Sequence, residues 1–309
     1  MRILIHHFAA DDWREALAQR LPTAEVVVGD ENSDIQADYL ATFRPPPTLL
    51  ARQTRLKGIV NLAAGVDALL ANPALPRDVP IIKLHDAGMA PLMIDYVRYG
   101  VLHFQRDFDR YLAQEDAASW QAHRSPAKAD WPVAVLGLGA IGWQVAQALA
   151  ADGYPVRGWS RSAKSIAGVR CYHGTEQLPE LLAQARTLVT LLPATDSTRG
   201  MVDAELLAML PAGATLINPA RGPLIDEQAL LDALGRAEQP GRLRGALLDV
   251  FHDEPLPESS PLWQHPRVRI TPHVAARTPV GIAADQIADA IRALEAGAPV
   301  ATVDPASGY

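Results

Sequence analysis

The sequence predicts an α/β chain made of two doubly wound parallel-sheet domains. Three observations predict it. The chain has 309 residues, enough for about two domains at roughly 150 residues each. Its apolar residues come in short, nearly continuous runs separated by helix-length stretches, as expected of parallel strands covered on both faces. One run leads directly into Gly137-x-Gly139-x-x-Gly142, and a glycine loop joining a strand to a helix belongs to doubly wound sheets.

Along the chain, residues 3–5, 25–28, 58–62 and 81–84 read as strands of a small parallel sheet. Arg44-Pro45-Pro46-Pro47 interrupts this series, because proline fixes φ, lacks an amide proton and sits inside neither a helix nor a central strand. From 90 to 122 the pattern is helical, with Met93, Val97, Val101 and Phe104 on one face. A second α/β series starts at Trp131, with strands at 133–136, 156–159, 187–192, 214–218, 245–250 and 267–271 and a helix over 141–152. These strands match a doubly wound sheet. Alanine and isoleucine at helical spacing over 282–296 predict a last helix that packs back on the first domain. The expected division is therefore 1–98 with 282–309 as one domain, and 99–281 inserted as a Rossmann dinucleotide domain.

Composition excludes several classes. The chain is 49% hydrophobic and 20% charged, with a net charge of −7 and no block of like charge. An acidic chain without a basic stripe argues against nucleic acid or an anionic membrane surface as partner. No apolar run reaches the roughly 18 residues that span a bilayer. The N-terminus, with Asp11 and Asp12 after a short apolar start, does not read as a signal peptide. Cys171 is the one cysteine, which rules out an intrachain disulfide framework and fits a reducing cytoplasm. No metal is expected, since the adjacent His6 and His7 of a strand point to opposite faces. A phosphate loop of the Gly-x-x-x-x-Gly-Lys-Ser/Thr type does not occur.

The glycine loop carries the first chemistry. Gly137 permits the tight turn, Gly139 lets the backbone approach a pyrophosphate and Gly142 allows close helix–strand packing, with Leu138, Ala140 and Ile141 completing the cradle. The following helix N-terminus offers N–H groups and a positive dipole end to the phosphates. The next strand ends in Ser160-Arg161-Ser162 without a carboxylate. A guanidinium and two hydroxyls suit a 2′-phosphate, so NADP is the preferred cofactor, with NAD still admissible. The plainer alternative makes Arg161 a solvated surface residue.

Arg221, Glu254 and His273 each follow one of three successive strands. In a doubly wound sheet ligands sit outside the carboxyl ends of the strands, so the three side chains can meet there. With Leu192-Pro193, Asn218-Pro219-Ala220-Arg221-Gly222, Leu248-Asp249-Val250-Phe251, Glu254-Pro255-Leu256-Pro257, Pro261-Leu262-Trp263 and Thr271-Pro272-His273-Val274-Ala275, the chain resembles the D-isomer-specific 2-hydroxyacid dehydrogenase family over nearly its whole length. Residues 89–111 and the closing Gly308-Tyr309 resemble the glyoxylate/hydroxypyruvate reductase A group within it.

The resemblance implies a flavodoxin-like substrate domain, a Rossmann cofactor domain and an NADPH-preferring reduction of small 2-oxoacids such as glyoxylate and hydroxypyruvate. His273 would be the general acid, since imidazole titrates near neutrality at about 6.5. Glu254 would orient its ring and favour the charged form, and Arg221 would hold the substrate and stabilise the developing alkoxide. Leu192, Pro193, Asn218, Pro219, Ala220, Arg221, Asp249, His273 and Ala275 occupy cofactor-contacting positions of the family, although Asp249 also reads as a buried strand-end acid. Asn61-Leu62-Ala63-Ala64-Gly65-Val66-Asp67 matches the carboxylate-binding turn, with the N–H groups of Ala64 and Gly65 as donors and Ala63 where the family often has glycine. Phe43 and Met89 are pocket candidates. Phe43 stands where a tryptophan is common, and Met89 reads equally as core. Arg277 replaces an expected apolar residue, at the pocket rim or facing water. A dimer arm over about 99–131, with Tyr99, Phe104, Phe108, Tyr111 and Trp120, implies a homodimer.

Two other readings stay open at this stage. The Arg/Glu/His set also serves reductases of bulkier 2-oxoacids such as phenylpyruvate, and phosphite dehydrogenases. The same fold also serves non-catalytic dinucleotide-sensing interaction proteins, against which the joint retention of Arg221, Glu254 and His273 weighs.

Overall fold

The computed structural model describes residues 1–236 and 239–304, so the closing Gly308-Tyr309 lies outside the described residues. These fall into two compact units, one drawn from residues 1–89 with 278–304, the other from the described residues between 90 and 277. The first division falls at the start of the helix Met89–Gln105 rather than within it at 98. That helix is one rigid rod whose Val97, Val101 and Phe104 are buried in the core of the second unit. The second division likewise precedes the whole helix Val280–Glu295 instead of cutting it at 282.

In the first unit, β1 (Arg2–His6), β2 (Glu25–Val28), β3 (Tyr39–Thr42), β4 (Gly58–Asn61) and β5 (Ile81–Ile82) form a parallel sheet in the order β2-β1-β3-β4-β5. β3 is an addition to the strands expected from the sequence. The expected ends at 62 and 84 overshoot, because past Asn61 and Ile82 the chain leaves the ladder. Pro47 opens the helix Pro47–Arg52 at its first turn, where a missing N–H costs nothing. The helix Val280–Glu295 buries Ala283, Ala284, Ile287, Ala288 and Ile291. It belongs to this unit, and its Glu295 accepts from the Tyr39 hydroxyl at 2.8 Å and Lys57 at 2.9 Å.

In the second unit, β6 (Val133–Leu136), β7 (Val156–Ser160), β8 (Val169–His173), β9 (Thr187–Thr190), β10 (Thr215–Asn218), β11 (Gly245–Leu248) and β12 (Val268–Ile270) form a seven-stranded parallel sheet, ordered β12-β11-β10-β9-β6-β7-β8. Side chains alternate between faces. Val133, Val135, Val189, Ile217 and Leu247 join one core, whereas Ala134, Leu136, Leu188, Leu216 and Leu248 join another. Two covered faces explain the unbroken apolar runs. The helical stretch expected over 90–122 divides into Met89–Gln105 and Phe108–Asp116. The break is at Asp107, whose φ is +59° and whose buried carboxylate pairs with Arg244 at 2.6 Å.

His7, just past β1, packs against the rings of Trp13 and Phe43, and its Nδ1 accepts from the Ala9 N–H at 3.0 Å. Burial, helped by the neighbouring His6, pushes its pKa down from 6.5 to about 4. The folded state thus binds this proton less readily than the unfolded one. Stability from the neutral ring is fully present above about 6.5 and is lost as the pH falls toward 4. His7→Gln keeps an acceptor for Ala9 but does not titrate. Urea denaturation at several pH values should therefore show a shallower loss of stability for the variant across that window, and parallel curves would remove His7 from the account.

Candidate functional site

The loop after β6 is fixed by backbone contacts. The Gly137 N–H donates to the Trp159 carbonyl at 2.8 Å, and Gly137 has φ +105°. A Cβ on Gly137 would lie 2.5 Å from the Leu191 carbonyl oxygen, and one on Gly142 would lie 1.8 Å from that of Gly137. Neither position tolerates a side chain. A Cβ on Gly139, by contrast, would meet nothing within 4 Å, so backbone there borders open space. Among the described residues the N–H groups of Ala140 and Ile141 donate to no protein acceptor, and the helix Gly142–Ala151 starts at this point. Donors, open space and the positive end of a helix together fit a pyrophosphate. Leu138 is buried, with its side chain against Gly158, and contributes backbone shape only.

At the end of β7, Ser160 is nearly buried and its hydroxyl donates to the Ser162 carbonyl at 2.8 Å, while Arg161 and Ser162 are exposed. Leu192 is buried after β9 and Pro193 is exposed, its carbonyl accepting from Thr198 at 2.6 Å.

β10, β11 and β12 are neighbours in the sheet, so the residues after them leave the same edge. Asn218, fully buried, accepts from the Thr190 hydroxyl at 2.6 Å and the Ala220 N–H at 3.2 Å, and donates to the Arg221 carbonyl at 3.0 Å. With Pro219 and Ala220 also buried, this bracket aims the half-buried Arg221, whose guanidinium donates to the Ala220 carbonyl at 2.7 Å. Gly222 completes the turn, since a Cβ there would fall 1.9 Å from the Phe251 carbonyl carbon. Glu254 Oε1 accepts from the Phe251 N–H at 3.2 Å, and Oε2 lies 2.8 Å from Nδ1 of His273. A carboxylate only accepts, so Nδ1 carries the proton and Nε2 is left for other partners. The His273 side chain is 39% exposed and its backbone is left-handed, at φ +53°.

Asp249, expected to contact a cofactor, has no exposed surface. Its carboxylate accepts from the Thr271 hydroxyl at 2.6 Å and from the N–H groups of Val274 and Ala275, both at 2.9 Å. The buried strand-end alternative describes its surroundings. Thr271 in turn meets the Tyr96 hydroxyl at 2.7 Å. Thr190, Tyr96, Gly222 and Thr271 were not singled out from the sequence as separate site residues. Thr271 and Gly222 sat inside quoted motifs, whereas nothing local ties Tyr96 to a residue so far along the chain.

In the first unit the Asn61 side-chain amide donates to the carbonyls of Ala63 at 2.7 Å and Gly65 at 2.8 Å, closing the turn before Val66. Among the described residues the N–H groups of Ala64 and Gly65 donate to no protein acceptor. Phe43 is half-buried, with the Arg44 guanidinium 5.3 Å from its ring centre. Met89, a pocket candidate from the sequence, is instead 3% exposed, and its sulfur lies 3.7 Å from the Thr278 hydroxyl. It is core. Arg277 is exposed.

Comparison with known proteins adds four findings. Residues 99–275 match the model of the NAD binding domain of D-isomer specific 2-hydroxyacid dehydrogenases. Over 100% of both chains, the sequence is 44% identical to a glyoxylate/hydroxypyruvate reductase A from Serratia proteamaculans (strain 568). Among solved structures, a D-isomer specific 2-hydroxyacid dehydrogenase from Xanthobacter autotrophicus Py2, in complex with NADPH and MES, is 41% identical with a TM-score of 0.91, covering 100% of this chain and 99% of that one. An NADPH-dependent glyoxylate/hydroxypyruvate reductase from Sinorhizobium meliloti, in complex with NADP and sulfate, is 34% identical at the same TM-score of 0.91, again over 100% and 99% of the chains.

The glycine loop yields opposite outcomes for two small substitutions. Gly142→Ala drives a methyl group into backbone and should destabilise the second unit by about 2 kcal/mol or more. Gly139→Ala meets no protein atom and should leave the melting temperature unchanged, yet weaken NADPH binding about tenfold or more by holding the phosphates off the backbone. Differential scanning fluorimetry and fluorescence titration check both. Unaltered NADPH affinity in Gly139→Ala would move the dinucleotide away from this loop.

Proposed function

The chain belongs to the D-isomer specific 2-hydroxyacid dehydrogenase family, and we propose that it reduces small 2-oxoacids such as glyoxylate and hydroxypyruvate, with NADPH preferred over NADH. The observation that carries the catalytic assignment is the 2.8 Å pairing of His273 Nδ1 with Glu254 at the sheet edge that also bears Arg221.

Reduction of a 2-oxoacid requires a hydride at the carbonyl carbon and a proton at its oxygen. NADPH, when bound, supplies the hydride. His273, as imidazolium held through Nδ1 by Glu254, donates the Nε2 proton to the carbonyl oxygen. In the oxidative direction the neutral ring takes it back. Arg221 binds the anionic oxygens of the substrate and stabilises the charge that develops on the carbonyl oxygen. Ala64 and Gly65, with undirected N–H groups in the first unit, are the carboxylate-binding element of this reading. The loop from Gly137 to Gly142 holds the pyrophosphate, and Arg161, exposed at the end of β7, takes the 2′-phosphate.

The same reading includes a homodimer formed through the arm of residues 99–131. Tyr99, Leu102, Phe108, Leu112 and Trp120 are large apolar side chains exposed there, and apolar surface concentrated on one segment supports an interface. No helix among the described residues is long and apolar enough to cross a membrane. With one cysteine and a net charge of −7, we place the enzyme in the cytoplasm with neither nucleic acid nor membrane as a partner.

Oxidation of NADPH followed at 340 nm with glyoxylate, hydroxypyruvate and phenylpyruvate tests the reading. Turnover should be fastest with the small 2-oxoacids. His273→Ala should lose kcat by about 10²–10⁴-fold, whereas Arg221→Ala should also raise KM. Arg161→Ala should reduce the NADPH preference, and faster turnover with NADH in the parent chain would refute that assignment. Light scattering on a sizing column should give a dimer, and a monomer at micromolar concentration would remove the arm from the proposal.

A further inference from the structure

In the second unit the groups that donate to Asp249 fall on one short segment. Besides the Thr271 hydroxyl and the Val274 and Ala275 N–H groups on its carboxylate, its carbonyl oxygen accepts from the His273 N–H at 2.8 Å. Each of these acceptor contacts lies within two residues of His273, while the Asp249 N–H donates to the Asn218 carbonyl at 3.0 Å and ties the residue to β10. The Thr271 hydroxyl has one proton, and a carboxylate can only accept it. The 2.7 Å contact between Thr271 and Tyr96 then has a defined direction, with the Tyr96 hydroxyl donating to Thr271 Oγ1. A chain of donors thus runs from Tyr96 through Thr271 to Asp249, all polarised the same way. Burial holds the Tyr96 hydroxyl well above its ordinary pKa, which keeps its proton in place.

We propose that Tyr96, Thr271 and Asp249 act as a positioning relay that locks the 271–275 loop and presents the His273 imidazole in its working orientation. The inference rests on the reading of His273 as the proton donor. It adds to that reading the residues that make the donor's position reproducible, none of which touches the substrate in it. The geometry explains why a lock is needed. His273 has φ +53°, a conformation that non-glycine residues leave unless their surroundings enforce it. Glu254 holds the ring at one atom, Nδ1, and a ring held at a single atom can pivot. Asp249 grips the backbone on both sides. Tyr96 lies on the helix Met89–Gln105, more than one hundred residues from the loop in sequence. The relay therefore ties the donor to that helix as well as to β11.

Thr271→Val removes the relay's central hydroxyl while keeping its shape, Thr271→Ser retains the hydroxyl, and Tyr96→Phe removes only the distal one. If small displacement of a proton donor costs up to about 10²-fold, Thr271→Val should lose kcat by about 10- to 100-fold. Its NADPH dissociation constant, from fluorescence titration, should stay within about twofold, since Thr271 itself is not among the positions assigned to the cofactor. Thr271→Ser should recover most of kcat, and Tyr96→Phe should fall between the two. Hydrogen exchange should show the Val274 and Ala275 amides exchanging faster in Thr271→Val and Tyr96→Phe, with β10 and β11 unchanged. Parent-like kcat in Thr271→Val, no recovery with serine, or exchange rising across the whole sheet would each overturn the relay. Tyr96→Phe decides the matter if Thr271→Val does not fold. Should the parent chain turn over no 2-oxoacid, the proposed function falls instead, and the local exchange of Val274 and Ala275 alone decides whether the relay holds the loop.

Discussion

Parallel pairing constrains everything else in this molecule. Each pair of neighbouring strands in both sheets runs in the same direction, so each connection must cross back and every strand ends at the same edge. In the second unit the chain builds outward from β6 to β7 and β8, then returns to the other side of β6 with β9. Connections on the two sides of such a reversal diverge, and a crevice opens at the carboxyl ends. The glycine loop and residues 191–193 meet there, close enough that Gly137 accepts no side chain beside the Leu191 carbonyl. Arg221, Glu254 and His273 follow β10, β11 and β12 on that same edge. Their shared edge is a property of the sheet order, and the local turns only refine it.

How much of this was legible in the sequence depended on whether a residue's role is local. β6, β9, β10 and β11 read clearly because both faces are covered, which leaves unbroken apolar runs. β8 did not. It lies at the sheet edge, where Arg170 and His173 are exposed and the run is broken by polar residues. β3 was missed for a different reason, since Tyr39–Thr42 is short and is followed at once by Phe43-Arg44-Pro45, which reads as a loop. Expected strand ends at 192 and 250 ran past Thr190 and Leu248 because apolar character continues into the site loops after pairing has ceased. In the site, motif residues with local partners were found. Met89 as core and Asp249 as a buried acceptor needed tertiary contacts, and Tyr96 had no signal at all, because its partner lies at Thr271.

The net charge of −7 does not conflict with a site for anions. At physiological ionic strength, exposed charges are largely screened beyond about 8 Å. What a phosphate meets is set by its immediate surroundings, and in the proposed dinucleotide site of the second unit these are Arg161 and the N–H groups of Ala140 and Ile141. Backbone donors need no charged side chain and lose no rotamer freedom when they bind. An acidic surface and an anion-binding site are therefore separate properties of the fold.

The identity of residue 249 follows from the groups around it. The Thr271 hydroxyl, which accepts from Tyr96, offers Asp249 its one proton, as do the Val274 and Ala275 N–H groups theirs. Asparagine would set its own NH₂ against one of these donors. Only an acceptor on both oxygens satisfies the set, so a carboxylate fits although burying an unpaired one would be costly. The same contacts offset the cost, about 1–3 kcal/mol, of holding a non-glycine residue left-handed at His273. Fixing the histidine through its backbone also leaves both ring nitrogens for chemistry. Nδ1 is committed to Glu254, Nε2 is the atom left for the proposed proton donation, and neither has to serve as the anchor.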